Sequence, residues 1–204
     1  MARKDVSSIE SGMGASASII HSLFQKARKR GVPDGVIHSL STPQGEGLLD
    51  KFVEILASAA NTLAGVYQLV VNYCMGLDEM IRAGKYDWIN SDITSENFPI
   101  TAHGKVEIVA EVIHLNREVS SDEAIAELEH IGYRPGTLPE LLAFGEKHPN
   151  VQRGFPIVAL GSVSRVEGGR LVACLWSNGS KRKLNLHWFD NRWYANYRFL
   201  AVRK

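Results

Sequence analysis

The sequence predicts an α+β protein with a mainly antiparallel sheet and flanking helices, preceded by a small all-helical unit. Three observations lead to this fold class. Apolar residues repeat with a helical period over residues 18–61, strict alternation appears at residues 105–115, and β-like stretches separated by turn residues follow from residue 155. Helices followed by a run of strands are typical of α+β domains.

Residues 1–64 are predicted to form the helical unit, with a loose arm at 1–15. The arm is rich in Ser, Gly and Ala and shows no period. The helices that follow are amphipathic, and Gly31 and the Thr42-Pro43 pair separate them. So short a unit buries little apolar surface alone. We therefore expect it to pack on the rest of the chain or to self-associate through its helices.

Residues 65–204 are predicted to form the α+β domain. Capping boxes at Ser120–Glu123 and Thr137–Glu140 mark two helix starts, and Gly84 ends an earlier helix over 77–83. Asp190-Asn191 is expected to be the turn of a hairpin formed by the last two strands. The predicted strands are 66–73, 105–115, 155–163, 170–175, 183–189 and 193–202.

The composition is that of an ordinary globular protein, with 45% hydrophobic and 22% charged residues. No apolar run reaches the roughly 18 residues that span a membrane, and no secretory signal is recognisable at the N-terminus. The two cysteines, Cys74 and Cys174, are expected to be free thiols. These features favour a cytoplasmic protein that does not contact a membrane.

No motif predicts a catalytic residue, a metal ion or a cofactor. The seven histidines lack zinc-site spacing. Cys174 and His187 fall on neighbouring predicted strands, but no third group would orient them as a nucleophile and its base. The oxygen-rich segment 87–96 lacks the glycine of a calcium loop, and its residue types also form turns. An enzyme with a diffuse site there remains an alternative, with candidate residues Asp87, Asp92 and Glu96.

Residues 175–204 carry the most suggestive chemistry. Three of the four tryptophans lie there, and between residues 177 and 204 there are seven Lys/Arg and one acid. Trp, Tyr and Arg most often carry binding energy at interfaces. The competing interpretation is that the alternating rings fill the core and the cations between them are solvated. The main hypothesis is a non-enzymatic binding protein that presents a protein or other ligand with Trp176, Arg182, Trp188, Arg192, Trp193 and Tyr194.

Two basic segments, 26–30 and 181–204, support nucleic-acid association as an alternative. Arginines clamp phosphates and aromatic rings stack bases on single strands. Two structural explanations compete with this hypothesis. Cations at the end of an amphipathic helix complement the helix dipole. Acids are in excess over residues 61–176, so the cations of the C-terminal segment can pair with them inside the protein. Its candidate residues are Lys26, Arg28, Lys29, Arg30, Lys181 and Lys183.

Four segments of the chain resemble a class of small uncharacterised bacterial proteins, which implies no activity: 83–94, 132–144, 155–162 and 198–203. A Gly-Tyr-Arg-Pro-x-Thr-x-x-Glu helix start, a Trp-rich hairpin and a terminal Arg-Phe-x-x-Val-Arg strand are similar to the C-type lectin-like fold. Sulfatase-modifying proteins and the variable proteins of diversity-generating retroelements use that fold. The copper-binding cysteine pair of the sulfatase-modifying (formylglycine-generating) enzymes and the calcium and sugar triplets of true lectins are missing. The resemblance therefore implies only a rigid scaffold whose loops, 177–182 and 190–194, display a binding surface.

Overall fold

The chain divides into two units in the computed structural model, one formed by residues 1–60 and a larger one by residues 61–204. The structure describes residues 21–22, 24–39, 42–48, 50–51, 65–166 and 168–204. In the smaller unit, residues 24–29 and Asp34–Ser39 are α-helical and Pro43–Gly45 form a 3-10 turn. The arm predicted at 1–15 lies outside the described residues.

In residues 65–166 and 168–204 three α-helices combine with ten strands, which makes the larger unit an α+β domain as the sequence predicts. The helices are α1 (Leu77–Gly84), α2 (Ser121–His130) and α3 (Leu138–Lys147). The strands are β1 (Val66–Asn72), β2 (Trp88–Ile89), β3 (Lys105–Ile113), β4 (Val119–Ser120), β5 (Tyr133–Pro135), β6 (Ile157–Val166), β7 (Gly169–Asn178), β8 (Lys181–Trp188), β9 (Arg192–Trp193) and β10 (Arg198–Arg203). No helix in the described ranges is both long and apolar enough for a membrane span.

The main sheet has the strand order β1-β3-β10-β6-β7-β8-β2, with β5 also paired to β10. Most neighbours are antiparallel, while β10 runs parallel to β6 and β2 runs parallel to β8. Strands β4 and β9 form a separate two-stranded sheet. The sheet is therefore mixed but mainly antiparallel.

The prediction that Asp190-Asn191 is the turn of a hairpin between the last two strands is wrong. The stretch predicted as one strand, 193–202, is divided between β9 and β10, and β10 lies in the middle of the sheet between β3 and β6. All four residues of Phe199–Val202 are buried. A strand that is apolar on both sides needs cover on both faces, which a central position provides and an edge position beside β8 does not.

Alternation along the strands divides the apolar side chains between two faces of the sheet. The first face, which carries Ala173 and Leu200, packs against α1 and α3. The second face, which carries Cys174 and Phe199, packs against α2 and the ring of Trp193. Both faces thus contribute to the core, and the rings of His187, Trp193 and Tyr197 lie at the border of the second face.

The capping box predicted for α2 is confirmed. Ser120 Oγ accepts a hydrogen bond from the Glu123 amide at 3.1 Å, and the Glu123 carboxylate accepts one from the Ser120 amide at 2.7 Å. At the start of α3, the Glu140 carboxylate accepts from the Thr137 amide at 2.7 Å. These bonds satisfy first-turn amides that have no partner inside the helix.

Candidate ligand-binding cleft

A cleft of about 460 Å³ opens at the border of the second face, a size typical of small-ligand sites. Its residues come from the end of β8, the turn into β9, β9 itself and the link to β10, together with one residue before β4. We call it the aromatic cleft. It is lined by Glu118, His187, Asn191, Arg192, Trp193, Tyr194 and Tyr197.

Three rings form one wall of the aromatic cleft. The ring centroids of Trp193 and Tyr197 are 5.3 Å apart, and His187 lies 5.8 Å from Trp193 and 5.9 Å from Tyr197. The Trp193 indole nitrogen donates to Ser121 Oγ at 2.9 Å, and Ser121 Oγ in turn donates to the Phe189 carbonyl at 2.6 Å. Ring contacts and buried hydrogen bonds hold the wall in one arrangement.

Trp193 is only 2% exposed, which corrects the prediction that it belongs to an open surface. The physical reason is that its ring packs into the core of the second face beside Val119, Phe189 and Phe199. Its role in the cleft is to orient the half-buried rings of His187 and Tyr197, which reach the opening.

Burial lowers the pKa of His187, so its imidazole is neutral near pH 7. Within the described part of the chain its ring nitrogens form no hydrogen bond. A neutral imidazole offers one donor and one acceptor, and both are therefore left for a ligand.

We expect the His187 signal in an NMR titration of the whole chain to have its midpoint below about 6.5, the ordinary histidine value. Loss of that signal in a His187→Gln variant would assign it. A midpoint at or above 6.5 would contradict the burial of this imidazole.

The rim of the aromatic cleft carries charge. Arg192 Nε donates to Glu118 Oε1 at 2.6 Å, and its terminal nitrogen lies 3.7 Å from Glu123 Oε2. One guanidinium is thus shared by two carboxylates. Tyr194 is 69% exposed beside this group, and Asn191 is exposed as well.

The other two predicted tryptophans lie away from the aromatic cleft. Trp188 is 47% exposed, and its ring packs against Gly169 on the first face. Trp176 is half-buried on the second face, where the Lys183 ammonium lies 4.8 Å from its ring centroid and 5.7 Å from that of Trp88. Of the six predicted ligand-binding residues, the structure therefore brings together Arg192, Trp193 and Tyr194.

Arg182 is a structural residue, not the surface residue that the sequence predicts. It is 6% exposed and donates to the carbonyls of Gly84 and Gly145, each at 2.6 Å, and to Gln152 Oε1 at 3.1 Å. Those two carbonyls lie in the last turns of α1 and α3, where the helix dipoles are negative. The Tyr86 ring lies against both glycines in space that a Cβ atom would fill, and the Arg182 guanidinium covers that ring at 4.9 Å.

Part of the predicted basic surface at the C-terminus is paired with acids from the middle of the chain. Arg203 contacts Glu111 at 3.1 Å, and Arg192 contacts Glu118. Lys181 is exposed on β8. The internal pairing considered from the sequence thus accounts for two of the arginines in this segment.

The basic segment of the smaller unit is more open. Arg28 donates twice to the Asp34 carboxylate, at 2.8 Å each. Lys26, Lys29 and Arg30 are exposed. The nucleic-acid hypothesis therefore retains its N-terminal residues as surface cations.

The side chains of the acidic segment 87–96 make one long-range contact with β8 and turn contacts of their own. Asp87 Oδ2 accepts from the Arg182 amide at 2.6 Å, and Asn90 Oδ1 accepts from the Asp92 amide at 2.9 Å. Glu96 is exposed. No group of three or more His, Cys, Asp or Glu with the geometry of a metal site occurs in the described ranges.

Burial raises the pKa of the Cys174 thiol to about 12. Cys174 pairs across the strands with Asn185, whereas His187 pairs with Val172. A buried thiol that keeps its proton at neutral pH is a poor nucleophile, so the cysteine–histidine arrangement considered from the sequence gains no support.

A second cleft, of about 350 Å³, lies at the start of α3 and includes Tyr73, Phe98, Thr137 and Ser162. The helix amides there are used by the protein itself, since the Leu138 amide donates to Ser162 Oγ at 2.9 Å. Its lining carries hydroxyl groups, the Asn97 amide and apolar groups but no charged side chain. It offers fewer specific contacts for a ligand than the aromatic cleft.

Sequence reasoning missed four residues of the aromatic cleft. Tyr197 and Asn191 lie in the stretch already identified, and His187 was expected to be an ordinary strand histidine. Glu118 lies in no motif of the sequence, because only the pairing of β4 with β9 brings it to Arg192.

Comparison with protein families, curated proteins and solved structures finds no match for this chain.

Proposed function

We propose that this protein is a non-enzymatic binding protein that holds its ligand in the aromatic cleft. The observation that carries the proposal is the combination of a fixed three-ring wall with polar lining groups that have no hydrogen-bond partner among the described residues. Fixed rings supply contact area without a large loss of conformational freedom on binding. Unused hydrogen-bonding groups such as the His187 imidazole supply orientation and specificity.

The arrangement favours binding over catalysis. Nucleophilic chemistry at His187 would require an activated group within hydrogen-bond distance, and Cys174 is fully buried with a raised pKa. Glu118, the carboxylate of the cleft, is engaged by Arg192 at 2.6 Å. The cleft thus contains fixed rings and a paired charge rather than a nucleophile and its base.

The lectin-like resemblance and the N-terminal unit are consistent with the same proposal. The C-type lectin-like resemblance supports a rigid scaffold that presents residues from its loops, and the aromatic cleft uses residues of the predicted loop 190–194. The helical N-terminal unit would provide self-association, which raises avidity for a protein or another macromolecular ligand. Nucleic-acid association through the exposed residues Lys26, Lys29 and Arg30 is the alternative.

Replacement of Tyr194 by Ala tests the proposal. A fragment library that contains cationic, neutral and anionic rings would be screened against the whole chain by ligand-observed NMR. We expect Tyr194→Ala to weaken the best binders at least about tenfold, which is about 1.4 kcal/mol, because the exposed ring is lost.

Trp188→Leu is the matched control, because it removes another exposed ring, one that lies on the first face of the sheet and away from the cleft. This variant should leave fragment binding unchanged. Equal losses in both variants, or no fragment binding to the wild-type chain, would refute the aromatic cleft as the site.

A further inference from the structure

Two carboxylates and one guanidinium meet at the rim of the aromatic cleft. Glu118 and Glu123 share the single guanidinium of Arg192, at 2.6 Å and 3.7 Å. The other polar lining groups, Asn191 and the neutral His187, add no positive charge. Two carboxylates therefore share one cation at this rim, where Glu123 lies just outside the cleft lining and also accepts from the Ser120 amide at 2.7 Å.

Aromatic faces complement the same sign of charge. A ring presents negative potential on its face, and cations bind within about 6 Å of the ring centroid. Tyr194 is exposed at the rim, and Tyr197 reaches the opening from the wall. An incoming cation would thus meet two tyrosine rings and a carboxylate in a single cleft.

From this geometry we infer that the ligand of the aromatic cleft is an organic cation of the alkylated ammonium class. The inference rests on the proposed function and specifies its ligand. Tyr194 and Tyr197 would contact the alkyl groups, and Glu118 would supply the opposite charge. His187 would accept a hydrogen bond where the ligand carries an N–H or O–H donor.

A neighbouring part of the same face already binds an ammonium group in this way. The Lys183 ammonium lies over the rings of Trp176 and Trp88 at 4.8 Å and 5.7 Å. In the described residues it has no carboxylate within ion-pair distance. On this side of the sheet, aromatic rings thus already contact a cation that has no acidic partner among the described residues.

The probes for the test are choline and its uncharged isostere 3,3-dimethylbutan-1-ol, which differ in charge but hardly in shape. Each would be titrated into the whole chain and followed by protein-observed NMR. We expect choline to bind at least about tenfold more tightly than the alcohol. We also expect Tyr194→Leu to reduce this preference several-fold and Tyr194→Phe to retain it, because only the latter keeps an aromatic face.

Arg192→Gln gives the sharpest test, because the sign of its effect depends on the charge of the ligand. It removes the cation that competes for Glu118, so choline should bind several-fold more tightly to this variant. Glu118→Gln should weaken choline binding and leave the alcohol unchanged. Both side chains are largely exposed, so the variants should fold normally.

The possible outcomes distinguish failure of the organic-cation inference from failure of the proposed binding function. Equal affinity for choline and the alcohol, or weaker choline binding after Arg192→Gln, overturns the organic-cation inference. If anionic or neutral fragments bind the aromatic cleft instead, this inference fails and the binding function stands. If no fragment of any charge shifts a cleft residue, both fail.

Discussion

Replacement of Arg182 by Ala is expected to destabilise the larger unit by about 3–5 kcal/mol. The variant would leave two helix carbonyls and Gln152 Oε1 buried without their donor, and each unsatisfied buried group costs about 1–3 kcal/mol. Removal of the side chain also leaves a cavity against the Tyr86 ring. Urea unfolding, followed by tryptophan fluorescence, would measure the change in the free energy of unfolding.

Two further variants test whether the loss of stability is specific to the Arg182 guanidinium. Arg182→Lys keeps the positive charge but cannot reproduce the planar donor pattern, so most of the stability should still be lost. Lys181→Ala changes the exposed neighbour on the same strand and should alter stability by less than about 0.5 kcal/mol. A loss below about 1 kcal/mol in Arg182→Ala would contradict the structural role.

Arg134→Met is expected to have an effect of similar size, because it isolates a buried charge. Glu140 is 0% exposed, and its carboxylate accepts from the two terminal nitrogens of Arg134 at 2.6 Å and 3.0 Å. Removing the partner of a buried charge costs about 3–5 kcal/mol, and the 40% exposure of the Arg134 side chain puts the expected loss at the lower end of that range. Arg117→Met is the matched control, because its 2.8 Å contact with Glu127 is exposed and should contribute less than about 1 kcal/mol.

The effect of Arg134→Met should depend on pH. Burial alone would raise the pKa of Glu140, but Arg134 and the Thr137 amide hold it below its ordinary value. Because an unfolded glutamate titrates near about 4.3, the carboxylate stabilises the wild-type fold above that pH, and this contribution is lost as the pH falls through the lowered pKa.

In Arg134→Met, burial of Glu140 is no longer offset by the guanidinium, so its pKa rises and acid protonates it readily. The difference in unfolding free energy between wild type and variant should therefore shrink between pH 7 and pH 4. Urea unfolding at both pH values measures that difference. A constant or growing difference would show that Glu140 is not held ionised by Arg134.

Local rules predicted much of the secondary structure. Residues Ser120 and Glu123 form the predicted capping box, and the predicted strands at 155–163 and 170–175 pair as neighbours in β6 and β7. Each of these features is set by residues close in sequence. The two- and three-residue strands β2, β4 and β5 were missed, because such short segments show no period.

Long-range placement was less predictable. The position of β10 depends on the cover that α2 and α3 provide on both sides of Phe199–Val202, which no local pattern encodes. Arg182 and Arg192 carry the same charge in the same segment of sequence. One caps two helices and the other lies at a cleft, because their partners, such as Gly145 and Glu118, come from distant segments.

The central claim, that the ligand binds in the aromatic cleft, is tested most directly by mapping amide chemical shifts of the whole chain during a titration. Choline would be one probe, and a single-stranded oligonucleotide at low and high salt would be the other. We predict choline-induced shifts confined to residues 187–197 and the neighbourhood of Glu118. Shifts centred instead on the second cleft around Phe98 and Ser162, or salt-sensitive oligonucleotide shifts at residues 26–30 with none in the aromatic cleft, would contradict the claim.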